Sequence, residues 1–222
     1  MSRPKSALRR LAAATAVAAG LLTLQAAAQA PPAPLAPITL EGDVARGAVL
    51  ALTCAGCHGV PESHNAYPSY HVPKLGGQNA DYVEIALQGY RRGTRSHPTM
   101  QAQASSLTDQ DIADVAAYFA AREGADEAGR SSASAHQIDE GRRRAVACVP
   151  CHGEVGVSSA PQWPNLAGQH ESYLLQALQQ YQLGQRYDLL MAPTIAGLDA
   201  TAVGELAAYF SAQPHLHQTP TE

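Results

Sequence analysis

Apolar positions recur at helical spacing along most of this chain. In "LTDQDIADVAAYFAAR", Ile112, Val115, Ala116 and Phe119 fall on one stripe. Thr108 stands just ahead of that stripe, with Asp111 three residues on. The pair predicts a capping-box start to a helix. Tyr82, Ile85, Ala86 and Tyr90 form a second stripe at 3.6-residue spacing. "DVARGAVLALTCAGCH" predicts a helix that runs into a pair of cysteines. Segments rich in Gly, Pro and Ser separate these elements. No stretch alternates in the manner of a strand, so the pattern predicts an all-α class.

The pattern then repeats. "CAGCHG" at Cys54 returns as "CVPCHG" at Cys148, a shift of 94. "PKLGGQ" at Pro73 returns as "PNLAGQ" at Pro164, "DYVEIALQGY" at Asp81 as "SYLLQALQQY" at Ser172, and "DVAAYFA" at Asp114 as "ELAAYFS" at Glu205, each a shift of 91. A three-residue difference in the loop after the histidine accounts for the change. Phe119 and Phe210, the two Phe residues, hold equivalent places, and Asp199 is the expected cap of the second half's last helix. Such self-similarity reads as two tandem domains of roughly ninety residues.

The first thirty residues read as an export leader. Arg3, Lys5, Arg9 and Arg10 precede an apolar run, Leu11 to Leu24, and an Ala28-x-Ala30 cleavage pattern. The run is short of the about 20 apolar residues of a membrane span. The expected organisation is a signal peptide at 1–30, a first domain at 31–121, a linker at 122–139 and a second domain at 140–222. "APPAPLAP" reads as an extended entry segment. Without the leader, 11 Lys+Arg face 19 Asp+Glu, a formal charge of −8. That balance disfavours nucleic acid and anionic lipid as partners. Aromatic residues are few: one Trp, two Phe and nine Tyr. Small domains bury little surface and need a staple, which a large planar cofactor would provide.

In an exported chain, four cysteines would ordinarily form two disulfides. Here all four fall into Cys-x-x-Cys pairs, and His follows both. With nine His in 222 residues, chance gives that outcome about 0.2% of the time, from (9/222)². Cys-x-x-Cys-His is the pattern of covalent haem: two thiols add across the vinyl groups and the adjacent His reaches the iron. A structural zinc site needs four ligands, and each half offers at most three. A thioredoxin-like dithiol belongs in a βαβ context that is not visible here. Cys54, Cys57, Cys148 and Cys151 are therefore read as anchors of two covalently bound haem c groups, with His58 and His152 as axial iron ligands.

Methionine supplies the second axial position. Beyond Met1 the chain has Met100 and Met191, 91 residues apart and in register with the repeat. Each falls in what reads as a polar loop before the last helix. A Met ordinarily fills core. Two isolated Mets at one repeat position point to ligation, which raises the potential and suits electron transfer. His97 has Asp188 at its matching place and reads as a solvated loop histidine. His64, His71, His136, His170, His215 and His217 lack histidine partners in the repeat and read as surface residues.

With these motifs the chain resembles the dihaem cytochrome c4 family, over nearly all of its length past the leader. The resemblance implies two tandem cytochrome c-like domains, each a small helical fold around a covalent haem. It implies that the Pro73 and Pro164 carbonyls accept the ring N–H of His58 and His152, and that Leu75 and Leu166 pack on the haem faces. It places the two haems close together near the domain interface. Arg95 and Arg186, in register, either pair with haem propionates or point into solvent. Arg91, Arg92 and Arg95 against Arg186 alone predict a more positive first edge, and with it unequal potentials and different docking partners.

The expected function is periplasmic shuttling of single electrons from a quinol-oxidising donor to a terminal oxidase or reductase. The chain then docks transiently with membrane complexes and is an electron carrier, with no small-molecule substrate and no turnover of its own. Two alternatives stand: the cytochrome subunit of a larger dehydrogenase, such as a sulfide-oxidising flavoprotein, and a dihaem peroxidase with a labile sixth ligand.

Overall fold

The computed structural model describes residues 32–122 and 131–218. The expected leader, residues 123–130 of the expected linker and residues 219–222 lie outside them. In the first half, α1 (Val44–His58) crosses α4 (Asp109–Ala121), with α2 (Ala80–Arg92) and α3 (Pro98–Ser105) packed beside them. In the second half, α5 (Ala135–Arg144) crosses α9 (Ala200–Ser211). A short helix α6 (Val149–His152) carries the second cysteine pair, and α7 (Glu171–Gln182) and α8 (Met191–Ile195) complete the set. Two strands of two residues each, β1 (His64–Asn65) and β2 (Tyr70–His71), form an antiparallel hairpin in the longer first-half loop. The class is all-α as expected.

Local chemistry explains the helix ends. Asp111 N–H donates to Thr108 Oγ1 at 3.1 Å while Asp111 Oδ2 accepts from Thr108 N–H at 2.9 Å, a full capping box. Asp199 Oδ1 accepts from Ala202 N–H at 2.8 Å. A second capping box, Ser134 with Gln137, starts α5 at Ala135. The helix therefore begins inside the stretch read as linker to 139. That stretch is polar, so its helix shows no apolar stripe. The helix that is continuous through Cys54 is broken ahead of Cys148 by a tight 3₁₀ turn at Ala145–Ala147. Pro150 is the cause: its ring crowds the carbonyl four residues back, at Val146.

Both helix crossings depend on glycine. A Cβ on Gly47 would overlap the Asp114 carbonyl, and one on Gly141 would overlap the Glu205 carbonyl. The two glycines are 94 apart, the shift of the cysteine motif. Each crossing is also tied by charge: Arg46 pairs with Asp111 and Asp114, and Arg144 pairs with Glu205. Each half has its own apolar core. One gathers Val83, Leu87, Ile112, Val115 and Phe119, the other Leu174, Leu206, Tyr209 and Phe210.

The halves join through a reciprocal hydrogen-bond set. Gln78 Nε2 donates to the Asn165 carbonyl at 3.0 Å, and Gln78 Oε1 accepts from Asn165 N–H at 2.8 Å. Gln169 does the same to Lys74, at 3.0 Å and 2.9 Å. Gln78 and Gln169 are 91 apart and both are buried. Their residue-for-residue exchange is that of a pseudo-twofold interface. The Gly76 and His217 backbones add a bridge.

The histidines read as surface residues divide. His64 and His136 are exposed. His71 is half-buried and stacks on His170 at 4.5 Å, with its Nδ1 2.8 Å from Ser172 Oγ across the two halves. Burial, reinforced by Lys74, brings the pKa of His170 down to about 4. His215 is also half-buried, with Nε2 3.1 Å from the Gly77 carbonyl. These roles arise between halves, where no local pattern reports them.

Candidate functional site

A single cavity of about 940 Å³ runs through both halves. Both cysteine pairs, His58, His152, Met100, Met191, Leu75 and Leu166 line it. So do Tyr82, Ile85, Ala86 and Tyr90, the stripe read on α2. Val83 and Leu87 line it as well and, with Tyr90, also belong to the first half's apolar core, so α2 joins core to cavity. The volume lies at the upper end of single-ligand pockets.

The histidines expected to be axial ligands meet the proline carbonyls that the resemblance implies. His58 Nδ1 lies 2.7 Å from the Pro73 carbonyl and His152 Nδ1 lies 3.0 Å from the Pro164 carbonyl. A carbonyl only accepts, so Nδ1 carries the proton and Nε2 keeps its lone pair. Burial lowers both imidazole pKa values, against the effect of the proline carbonyls. The imidazoles thus stay neutral, the form that ligates metal. Burial raises the pKa values of Cys54 and Cys148. No pair is closed as a disulfide.

The methionines are not on loops. Met100 lies on α3 and Met191 begins α8. These helices escape a periodicity search because they are short, eight and five residues. His97 Nδ1 accepts from Met100 N–H at 3.2 Å, and Asp188 Oδ1 accepts from Met191 N–H at 2.8 Å. His97 Nε2 lies 3.0 Å from Asn65 Oδ1. His97 is therefore a half-buried helix cap and not a solvated side chain. Its repeat partner Asp188 does the same job with different chemistry.

Arg95 and Arg186 are buried, 8% and 6% exposed, and their backbones form an antiparallel bridge between the halves. Solvent exposure, one of the two expectations for them, is overturned. Tyrosines surround them. Arg95 donates to Tyr82 Oη at 3.2 Å and to Tyr173 Oη at 2.7 Å, and lies 4.6 Å over the Tyr90 ring. Arg186 donates to Tyr173 Oη at 3.2 Å and lies 5.1 Å over the Tyr181 ring. Among the described residues neither guanidinium has a carboxylate partner, and both Nε atoms are buried without an acceptor. Two buried cations on a cavity wall require an anion. The expected charge asymmetry shrinks accordingly: Arg95 is internal and Arg91 pairs with Asp109, which leaves Arg92 on the surface.

This donor set fits two haems: paired thiols, neutral imidazoles with free lone pairs, thioethers in the same cavity and unpaired guanidiniums for carboxylates. Among the described residues no cluster of three or more His, Cys, Asp or Glu is placed to hold a metal ion by itself. No described helix is long and apolar enough to cross a membrane.

The comparisons agree. A family model, Cytochrome c, matches residues 44–122. Cytochrome c4 of Azotobacter vinelandii is 30% identical, over 76% of this chain and 88% of the relative. The chain belongs to the cytochrome c4 family. It is a dihaem electron-transfer cytochrome, with haem c attached covalently at both Cys-x-x-Cys-His motifs. The thiosulfate dehydrogenase electron acceptor of Stutzerimonas stutzeri is 34% identical, over 72% of this chain and 79% of the relative. The crystal structure of reduced recombinant cytochrome c4 from Pseudomonas stutzeri superimposes with a TM-score of 0.66 at 25% identity, covering 78% of this chain and 99% of that one.

Sequence reasoning found the cysteines, histidines, methionines and prolines. It missed Gly47 and Gly141, whose shared register was the available signal. It also missed Gln78 and Gln169, although both end the quoted repeat motifs.

Proposed function

We propose that this cytochrome is a periplasmic carrier that moves single electrons from a respiratory donor, a quinol-oxidising complex, to a terminal oxidase or reductase. In this reading it has no substrate of its own and docks its partners transiently. When bound, each haem supplies one reversible electron at its iron. His58 and Met100 hold one iron, and His152 and Met191 the other. Pro73 and Pro164 fix the histidine rings, while His97 and Asp188 fix the start of each methionine helix. Leu75 and Leu166 pack on the haem faces and exclude water. Arg95 and Arg186 hold the propionates. The observation that carries the reading is the doubled set: Cys-x-x-Cys-His and Met, twice, on one cavity. Two saturated irons leave no position for peroxide.

The two pockets also serve different partners in this reading. Ala33–Pro37 line the cavity from the first half's entry segment, whereas in the second half Leu189 and Leu190, which also line it, stand exposed just before Met191. The relative named as a thiosulfate dehydrogenase electron acceptor favours a second donor class, a dehydrogenase of reduced sulfur compounds. A cleaved leader at 1–30 brings the chain to the periplasm.

The test is a potentiometric titration of the visible spectrum with the Met100→Ala and Met191→Ala variants. Wild type titrates in two steps. Each variant keeps both haems and lowers one step by at least ~60 mV, the one-electron equivalent of a tenfold loss. A variant that keeps its potential removes that methionine from the assignment.

A further inference from the structure

The repeat symmetry fails by one hydrogen bond at the centre of the molecule. Within each half the bonds match: Arg95 to Tyr82 and Arg186 to Tyr173, both at 3.2 Å, are equivalent under the 91-residue shift. Between halves they do not. Arg95 Nη2 also donates to Tyr173 Oη, at 2.7 Å, the shortest bond of the cluster. No matching bond joins Arg186 to Tyr82 among the described residues. Tyr173 is therefore the shared acceptor of two buried guanidiniums from two different halves. A phenol oxygen has two lone pairs, and both are committed.

We propose that Tyr173 is a positioning residue that couples the two haem pockets through Arg95 and Arg186. The inference rests on the reading that these arginines hold the anionic haem carboxylates. An electron arriving in one pocket adds a negative charge there. The guanidinium of that pocket is drawn toward it and loosens its bond to Tyr173. The phenol then binds the other guanidinium more firmly, and the second pocket responds to the redox state of the first. No electron passes through Tyr173; it transmits the charge change by sharing one oxygen. The low dielectric of the buried cluster strengthens the effect. The two cations also draw the Tyr173 pKa down to about 8 against the opposing effect of burial, a sign of how strongly they act on this oxygen.

The test uses the dihaem protein. Tyr173→Phe keeps the ring and removes the shared oxygen. Arg95→Lys keeps the charge and removes the fork, a second route to the same bond. Both variants should change the ratio of the two electron affinities by roughly tenfold or more, the size of one hydrogen bond to a charged group. Tyr82→Phe, which touches one arginine, should change it by much less. The second readout is the NMR signal of the Arg95 and Arg186 Nε–H groups. In wild type both signals move at the first reduction step; in Tyr173→Phe one moves. The proposal fails if Tyr173→Phe and Arg95→Lys leave the affinity ratio unchanged, or if Tyr82→Phe changes it equally. Arg95→Gln separates the two levels. If it shifts the potentials and Tyr173→Phe does not, the arginine reading stands and the coupling role falls. If Arg95→Gln shifts nothing, the arginine reading falls as well.

Discussion

On the first half, residues before α1 lie along α2. Ile38 N–H donates to Glu84 Oε2 at 2.6 Å, Gln88 Nε2 donates to the Ala36 carbonyl at 2.9 Å, and Leu35 packs against Gly89. On the second half Leu175, Gln179 and Gln180 stand at the three α2 positions, and none of residues 131–134 lines the cavity. Exposed Leu183, Leu189 and Leu190 replace Arg92, Pro98 and Thr99. Among the described residues the scaffold repeats while its cover does not. Helix crossings, caps and histidine acceptors recur because the cofactor demands them in each half. Cover of a pocket edge comes from chain outside the repeat, and it can differ freely.

The largest test of the repeat is removal of its cysteines. Cys54→Ser with Cys57→Ser, or Cys148→Ser with Cys151→Ser, should each leave one haem by haem-to-protein absorbance. Each should also lose the helical circular dichroism of its own half, because so little apolar core remains there. If one half keeps its helices without haem, the halves differ in how far the cofactor holds them together.

Next comes the helix crossing. Gly47→Ala and Gly141→Ala each force a methyl into a backbone carbonyl. Each should cost about 1–3 kcal/mol in denaturant unfolding, as overpacking does, with the higher helix propensity of Ala offsetting a part. The two losses should agree within about 0.5 kcal/mol. A larger gap would show that the crossings are not equivalent.

The smallest test makes one half resemble the other. Glu84→Leu installs the residue of the second half and leaves Ile38 N–H without its acceptor. Exchange of the Ile38 amide should speed up by roughly tenfold, the equivalent of about 1.4 kcal/mol for one hydrogen bond. Helix α7 should show no change. If Ile38 exchange holds at its wild-type rate, the entry segment is kept in place by its apolar contacts alone.

Much of this protein was legible before its structure. The α4 stripe, the Thr108 and Asp199 caps and the helix entering Cys54 are written in residues three or four apart. Short-range hydrogen bonding and the 3.6-residue period act over that distance. The cysteine, histidine and methionine set was legible because it repeats at fixed spacing. The short α3 and α8 were not, since helices of eight and five residues carry too little of a period to read.

By itself, then, the sequence determined the all-α class, the two tandem halves, the thiol anchors and the candidate axial ligands, since each depends on neighbours along the chain or on the repeat. Only the tertiary structure decided that Gln78 and Gln169 clasp the opposite half, that His97 is a cap, and that Arg95 and Arg186 meet in the interior. A glutamine or an arginine looks the same in a sequence whether it faces water or a partner 90 residues away. Burial without a carboxylate turned the two arginines from surface charges into a site, and burial is a property of the assembled halves.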